Sequence, residues 1–272
     1  MIPSSHAAAR CLLAAALLAG VSACATAPET SAPRPGVSAS LLPEPAREWK
    51  TLRGLARGSF AGPGGSGAAG QAVLIALPDR GRLESLTPFG TTAAVVVVAE
   101  GEVRYHSVLN REFATGRATR GTLERLLGIP VPPGPLLRLL AGLPPIPVRL
   151  GDPRTSIDPE GEVQRVESVE GALWQRIRFP APSAAEAVRG ELGDAGGPLL
   201  QFEWDAWRTV GEVVFPHVLR MTGGRGARFD VTYEWVRLDE ALDPALFVLP
   251  RPADPDLRVL EFGEGPALPS QR

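Results

Sequence analysis

Apolar and polar residues alternate along two segments in the C-terminal half of the chain, 199–206 ("LLQFEWDA") and 228–235 ("RFDVTYEW"). A period of two puts successive side chains on opposite faces of a β-strand, so each segment predicts a strand with one apolar face. The apolar positions are Leu200, Phe202, Trp204, Phe229, Val231, Tyr233 and Trp235. Because the turn-forming "GGRG" (223–226) precedes the second segment, the pattern favours an antiparallel sheet that is covered on one side.

Strands are also predicted in the N-terminal half. Segments 70–78 and 82–87 flank the turn "DRG", and segments 92–101 and 102–109 are expected to pair across Glu100–Gly101. The segment "EPAREWKTLR" (44–53) predicts a short helix. The chain's 30 glycines and 28 prolines favour many short elements joined by turns over a few long helices.

A leucine-rich stretch, 118–147, separates the two β regions and predicts two short helices. Leu123, Leu126 and Leu127 have helical spacing and end at Gly128, and a second helix begins at Pro133. The leucines of the second helix are Leu136, Leu137, Leu139 and Leu140. Helices of two to three turns are unstable alone in water, so these leucines need an apolar surface. The stretch therefore predicts a lid or plug over the concave face of the sheet.

The first 24 residues have the organisation of a targeting segment. Arg10 precedes an apolar run (11–20) that is too short to span a bilayer, and "VSAC" (21–24) follows it. Small residues directly before a cysteine resemble the lipobox of bacterial lipoproteins. Cys24 would then carry a diacylglycerol thioether and an acyl group such as palmitate on its amine. An ordinary secretory signal with a chance cysteine is the alternative.

Domain boundaries follow from composition. Residues 1–23 are expected to be removed as a signal peptide, and residues 24–43 are expected to form the lipidated start and a flexible tether rich in Ala, Pro, Ser and Thr. Residues 44–262 suit one domain, and residues 263–272 are predicted to be a disordered tail. Residue 25 is Ala rather than Asp. By resemblance to the sorting rules of proteobacterial lipoproteins, this indicates an anchor in the outer membrane, on its periplasmic face, rather than in the inner membrane.

Charge and candidate chemistry exclude several classes of protein. The 28 Lys and Arg residues balance 30 Asp and Glu residues, so no nucleic-acid partner is predicted. After the signal peptide only His106, His217 and Cys24 remain of the histidines and cysteines, and the sequence has no HExxH, CxxC or GxSxG motif. We therefore expect no enzyme activity, no catalytic residue, no metal and no cofactor.

Two longer motifs resemble the LolB family of outer-membrane lipoprotein receptors. These are "SLTPFGTTAAVVVV" (85–98) and "ATGRATRGTLERLLGIPVPPGPLLRLLAGLPP" (114–145). Members of that family have a strand ending in Pro-apolar-Gly, and then two short helices that each run into Gly and Pro. The matching positions after the helices are Gly128, Pro130, Pro132, Gly142 and Pro144. The resemblance covers about residues 50–150, and the remainder is closer to the broader LolA/LolB-like superfamily.

The resemblance implies a mainly β fold, an incomplete antiparallel β-barrel with short helices lidding an apolar cavity. It implies binding of lipoprotein acyl chains handed over by a LolA-like periplasmic carrier, and an apolar residue, here Phe89 between Pro88 and Gly90, that inserts into the membrane. The predicted acyl-chain cavity residues are Leu136, Leu140, Leu200, Phe202, Trp204, Phe229, Val231, Tyr233 and Trp235.

Two alternatives stay open at this point. The Phe89 ring could fold back onto its own core instead of protruding. The chain could also be an outer-membrane lipoprotein of this fold that serves as a structural or assembly partner without transferring lipoproteins.

Overall fold

The structure is a computed structural model that describes residues 48–62, 65–148, 155–160, 163–179 and 188–262. The predicted signal peptide, the lipidated Cys24, the tether and the tail at 263–272 lie outside the described residues. Fourteen strands and two α-helices follow one another within the described ranges. Their bounds are β1 Thr51–Gly62, β2 Gly65–Ala76, β3 Arg80–Leu86, β4 Thr92–Ala99, β5 Glu102–Ser107, β6 Glu112–Arg117, α1 Arg120–Leu127, α2 Pro133–Leu140, β7 Thr155–Glu160, β8 Val163–Glu170, β9 Leu173–Phe179, β10 Val188–Asp194, β11 Gly197–Val210, β12 Val213–Gly223, β13 Arg228–Leu238 and β14 Arg258–Glu261.

All fourteen strands belong to one open sheet. Its order is β14-β6-β5-β4-β3-β2-β1-β13-β12-β11-β10-β9-β8-β7, so β14 and β7 form the two edges. Neighbouring strands are antiparallel apart from β14 and β6, which run parallel. The prediction of a mainly β, incompletely closed sheet with two short helices is confirmed.

The hairpins occur where the turn residues predict them. β2 pairs with β3 around residues 77–79, and β4 pairs with β5 across Glu100 and Gly101, which both have positive φ angles. A 3-10 turn at Gly224–Gly226 joins β12 to β13, with the Gly223 amide donating to the Ala227 carbonyl at 2.8 Å. These turns set the register that brings the alternating apolar residues to one face.

The predicted helix at 44–53 is wrong where the structure describes it, because β1 begins at Thr51. Every second residue of β1, from Leu52 through Gly54 and Ala56 to Gly58, is buried. Two of these four positions are glycines, so the period-two pattern is weak in the sequence. Both glycines lie under side chains of the neighbouring strands, since a Cβ at Gly54 would come within 3.0–3.3 Å of β13 atoms.

The two helices form where the leucine spacing predicts them. Thr119 caps α1, since its hydroxyl accepts the Thr122 amide at 3.2 Å, and Gly128 ends α1 with a φ angle of 73°. Pro133 opens α2, where a missing amide proton costs nothing, and Gly142 follows with a φ angle of 73°.

The core has two parts on opposite faces of the sheet. The larger part lies between the inner face and the helices, and its members include Leu52, Leu139, Trp204 and Phe215. The smaller part packs residues 247–257 against the other face of β4 and β6. Because β4 is covered on both sides, its run of four valines (95–98) is apolar without alternation.

Gly190 in β10 provides a test of packing on the inner face. It pairs with Phe202 of β11, and a Cβ at Gly190 would overlap the Phe202 ring. We expect Gly190→Ala to lower the free energy of unfolding by about 1–3 kcal/mol because the ring must move in a filled core. Gly62→Ala is the matched control, since its Cβ would find ordinary contacts at 3.7 Å. Equal stabilities of the two variants in urea denaturation would contradict the assigned packing.

Candidate functional site

Helix α2 covers the inner face of the sheet with its leucines. Leu136, Leu137, Leu139 and Leu140 are all buried in the larger core. On the sheet side, Leu137 lies against Gly81 of β3, where a Cβ would overlap the leucine. Gly142, just beyond α2, lies against Phe215 and Pro216 of β12. The helix therefore spans the inner face from β3 to β12.

Two side chains of the sheet region bind the last carbonyl groups of this helix segment. The Tyr233 hydroxyl donates to the Leu140 carbonyl at 2.6 Å, and the Trp49 indole N–H donates to the Ala141 carbonyl at 2.9 Å. Carbonyls at a helix C-terminus have no partner within the helix, so these bonds satisfy groups that would otherwise be buried unpaired. Burial strongly raises the pKa of the Tyr233 hydroxyl, so the hydroxyl is protonated and a donor near neutral pH.

A buried glutamine holds the chain that leaves α2. Gln175 of β9 accepts the Ile146 amide through Oε1 and donates through Nε2 to the Ile146 carbonyl, both at 2.7 Å. Its Nε2 also donates to the Ser168 hydroxyl at 2.7 Å. The contacts of Tyr233, Trp49 and Gln175 are called the helix clamps. They fix the covering segment to β13, to the chain just before β1 and to β9.

Aromatic rings line the inner face beneath the helix. The Phe215 ring lies 5.7 Å from Trp49 and 5.4 Å from Tyr233, and Phe202 and Trp204 lie 4.8 Å apart. The Trp204 indole N–H is buried and has no hydrogen-bond partner among the described residues. The Trp204 indole N–H is therefore an unpaired donor within a largely apolar interior.

His217 is buried beside this aromatic cluster. Its ring meets Phe215 edge-on at 5.6 Å, and Nδ1 is 3.3 Å from the Phe215 carbonyl. Desolvation, and secondarily the charge of Arg208, lower the pKa of His217, so the ring is neutral near pH 7. It packs as an aromatic group here.

The structure buries most of the residues that the sequence predicts for the apolar interior. Buried members of the predicted set are Leu136, Leu140, Leu200, Phe202, Trp204, Val231 and Tyr233. Phe229 is half-buried at the edge of the same core. Their contact with acyl chains stays a prediction.

The prediction that Trp235 points inward is wrong. The side chain is 43% exposed, and Arg237 stacks over its ring at 5.7 Å. The register shifts between the pairs Leu55–Trp235 and Ala56–Tyr233, which leaves Glu234 as an extra residue in β13. Such a bulge reverses the alternation, so Val236 takes the inward position instead.

The turn between β3 and β4 presents Phe89 to solvent. Its side chain is 92% exposed, so the alternative in which the ring folds back onto the core does not occur in the structure. The turn is closed by the Gly90 amide on the Thr87 carbonyl at 2.9 Å and by the Thr87 amide on the Thr91 carbonyl at 2.8 Å. Gly90 has a φ angle of 79°, which a residue with a side chain rarely adopts. Membrane insertion by Phe89 stays a prediction.

A polar groove of about 560 Å³ lies on the outer face of β9–β13. It is lined largely by charged side chains, including Arg178, Arg189, Glu203 and Arg220. Several of these pair with one another, for example Arg220 with Glu203 at 2.6 Å. A mixed-charge groove does not suit an acyl chain, so the apolar inner face is the candidate site.

Within the described ranges, no helix is both long and apolar enough to cross a bilayer. In the same ranges, no group of three or more His, Cys, Asp or Glu residues is arranged to hold a metal ion.

The fold is similar to that of solved LolA-like proteins. A LolA-superfamily protein of Nitrosomonas europaea matches with a TM-score of 0.50 at 11% identity, over 74% of this chain and 91% of that one. An outer-membrane lipoprotein-sorting domain of Vibrio parahaemolyticus matches with a TM-score of 0.48 at 10% identity, over 75% and 91%. No family model and no curated protein matches the sequence. The likeness to the Nitrosomonas europaea protein shows that the chain has a LolA-like fold.

The sequence reasoning missed the residues of the helix clamps other than Tyr233. Trp49 was part of the predicted N-terminal helix, and Gln175 is a polar residue at an inward position of β9. A glutamine at an inward position between Leu173 and Ile177 is the signal that could have identified the second. The indole of Trp49 has no comparable signal.

Removing the Tyr233 hydroxyl tests the clamp on α2. Tyr233→Phe keeps the ring and leaves the buried Leu140 carbonyl without its donor, so we expect a loss of about 1–3 kcal/mol in the free energy of unfolding. Trp235→Phe on the same strand is the control, with an expected change within about 0.5 kcal/mol because the side chain is exposed. Chemical denaturation measures both. A neutral Tyr233→Phe would mean that the hydroxyl does not hold the helix.

Proposed function

We propose that the chain is a LolB-like outer-membrane lipoprotein that receives the acyl chains of other lipoproteins on its apolar inner face and helps insert those lipoproteins into the membrane. The observation that carries the proposal is the pairing of a helix-covered apolar interior with a fully exposed phenylalanine on a tight turn. The LolA-like fold supports it as a scaffold for lipid handling.

The interior can exchange its own leucines for an acyl chain. Burying a leucine side chain contributes roughly 1.5–3 kcal/mol, so displacing the four leucines of α2 costs about 6–12 kcal/mol. An acyl chain regains about 0.8 kcal/mol per buried CH₂, so about eight to fifteen methylenes offset that cost. Near balance between the two states is what a receptor needs, because its ligand must both enter and leave.

Polar contacts support reversible opening. The helix clamps are a few hydrogen bonds, each contributing about 0.5–1.5 kcal/mol net, against an otherwise apolar contact. An ester or amide carbonyl at the head of an acyl chain would accept the unpaired indole N–H of Trp204. The interior therefore combines an apolar surface with one directional donor, as is typical of small-molecule sites.

The proposed anchor places this interior next to a bilayer. Acylated Cys24 would hold the chain at the periplasmic face of the outer membrane, since two or more acyl chains anchor stably. A LolA-like periplasmic carrier would deliver the cargo, and the exposed ring of Phe89 would enter the leaflet when cargo is released.

A second candidate is a structural or assembly partner that never loads acyl chains. The observation that favours it is the complete burial of the α2 leucines, which already fill the inner face. Ligand binding separates the two candidates.

Acyl binding is tested with a fluorescent fatty-acid probe on the Cys24→Ala chain. We expect saturable binding that acylated peptide displaces. Leu140→Ala removes a side chain that competes with the probe, lowering the cost of displacing α2 by about 2–5 kcal/mol, so affinity should rise at least about tenfold. Val214→Ala, which shortens an exposed side chain at the opposite end of the sheet from Phe89, is the control and should not change affinity. Absence of saturable binding in all three chains would favour the assembly partner.

The role of Phe89 is tested by delivery of lipoprotein to liposomes. We expect Phe89→Glu to keep the fold and probe affinity but to lose delivery, because a carboxylate resists leaving water. Phe89→Leu should retain delivery, since it keeps an apolar side chain. The melting temperature of each variant is the control for folding. Normal delivery by Phe89→Glu would exclude membrane insertion at this turn.

A further inference from the structure

A second apolar hairpin tip lies beside the Phe89 turn. The turn between β5 and β6 exposes Val108 by 47% and Leu109 by 67%. The Val108 amide donates to the Ala93 carbonyl at 2.9 Å, so this turn extends directly alongside the start of β4, which the Phe89 turn precedes. Adjacent strands lie about 4.8 Å apart, and the two turns are therefore neighbours at one end of the sheet.

The two tips lack free charge. Residues 87–92 and 108–110 contain no Asp, Glu, Lys or Arg. The first charged residue after Leu109 is Arg111, which binds Asp254 through two hydrogen bonds at 2.7 and 3.1 Å. Glu112 follows and is buried in an ion pair with Arg258. Charged groups would oppose transfer out of water, and the two that follow Leu109 are each paired with an opposite charge.

The polar groups of the tips are also largely satisfied within the turns. The Thr87 and Thr91 hydroxyls bind each other at 2.8 Å, and the Thr91 amide donates to the Thr87 hydroxyl at 3.3 Å. In the second turn the Asn110 amide donates to the Ser107 hydroxyl at 3.1 Å. Groups that already have partners lose little when water is removed, so the exposed apolar side chains dominate the balance.

We infer that Phe89, Val108 and Leu109 form one surface, the apolar tip, that docks on a lipid bilayer. The inference deepens the proposed function, because it adds a second insertion site beside the Phe89 turn. The binding partner of the apolar tip is the interface of the bilayer, where apolar side chains are buried and uncharged turn backbone is tolerated.

The reach of the tether fits this orientation. The apolar tip lies at the end of the sheet opposite Thr51, where β1 begins, and a 12-residue strand spans about 40 Å. The 24 residues from Cys24 to Glu48 extend to at most about 80 Å, so a chain anchored at Cys24 can turn the far end of the domain to the membrane. With only eight residues left, the reach would be about 28 Å, which is shorter than β1, so the tip could reach the same bilayer only with the sheet tilted.

Depth measurements on the anchored full chain test the inference. The lipidated protein is reconstituted into phosphatidylethanolamine and phosphatidylglycerol vesicles, with the environment-sensitive fluorophore NBD on Leu109→Cys, Phe89→Cys or Val214→Cys. Val214 is the matched control, since it is 59% exposed on the β11–β12 hairpin at the opposite end. We expect nitroxide-labelled acyl chains to quench most of the emission at positions 89 and 109 and to leave position 214 unquenched. Deleting residues 26–41 should weaken quenching at both tip positions, because the shorter tether restricts the orientations that bring the tip to the bilayer.

The outcomes separate the inference from the proposed function. Quenching at 89 without quenching at 109 overturns the second docking site and leaves insertion by Phe89 in place. Absence of quenching at both positions overturns the apolar tip and Phe89 insertion together, while fatty-acid probe binding still reports on the interior. A third outcome is NBD emission at position 109 that changes with the amount of protein per vesicle and is not quenched by nitroxide lipids. This would identify a second copy of the chain as the partner and would also overturn the inference.

Discussion

The arrangement of the whole domain depends on covering the inner face of one open sheet. A sheet with one apolar face cannot leave that face in water, and an open sheet cannot close over it by itself. Helix α2 supplies the cover, with four buried leucines against strands from β3 to β12. Because its last carbonyls are bound by Tyr233 and Trp49, the cover has one defined position.

This solution links stability to function. The segment that contains α1 and α2 completes the core with its leucines. Its helices are too short to be stable away from the sheet, so the segment and the sheet depend on each other. A covering segment held by apolar contacts and a few clamps can exchange with another apolar chain at little net cost. The exposed phenylalanine lies on a separate turn, so a ligand in the interior and a contact at the turn would engage different parts of the domain.

Much of the architecture is predictable from local pattern. Period-two alternation identified β11 and β13, and Pro133, Gly128 and Gly142 marked the helix ends. The hydropathy pattern does not predict strand β1, because two of its inward positions are the glycines Gly54 and Gly58. Side chains of neighbouring strands fill the space there. Such positions look neutral in a hydropathy pattern, since a glycine carries no side chain to count.

The errors within the candidate site have a different cause. Alternation extended through Glu234 predicts Trp235 inside, but the bulge at Glu234 reverses it, and a single inserted residue leaves no mark in the sequence. Trp49 and Gln175 act through hydrogen bonds to backbone more than 25 residues away along the chain, with sequence separations of 92 and 29. Long-range pairing of this kind depends on the folded sheet.

The central claim, that α2 must leave the inner face for an acyl chain to enter, is tested by locking the helix in place. Gly81 and Leu137 lie in direct contact, so Gly81→Cys combined with Leu137→Cys places two thiols where a disulfide can join β3 to α2. Fatty-acid probe binding is measured on this double variant in the Cys24→Ala chain, oxidised and then reduced. If α2 must leave, we expect oxidation to abolish probe binding and reduction to restore it. Equal binding in the two redox states would contradict it.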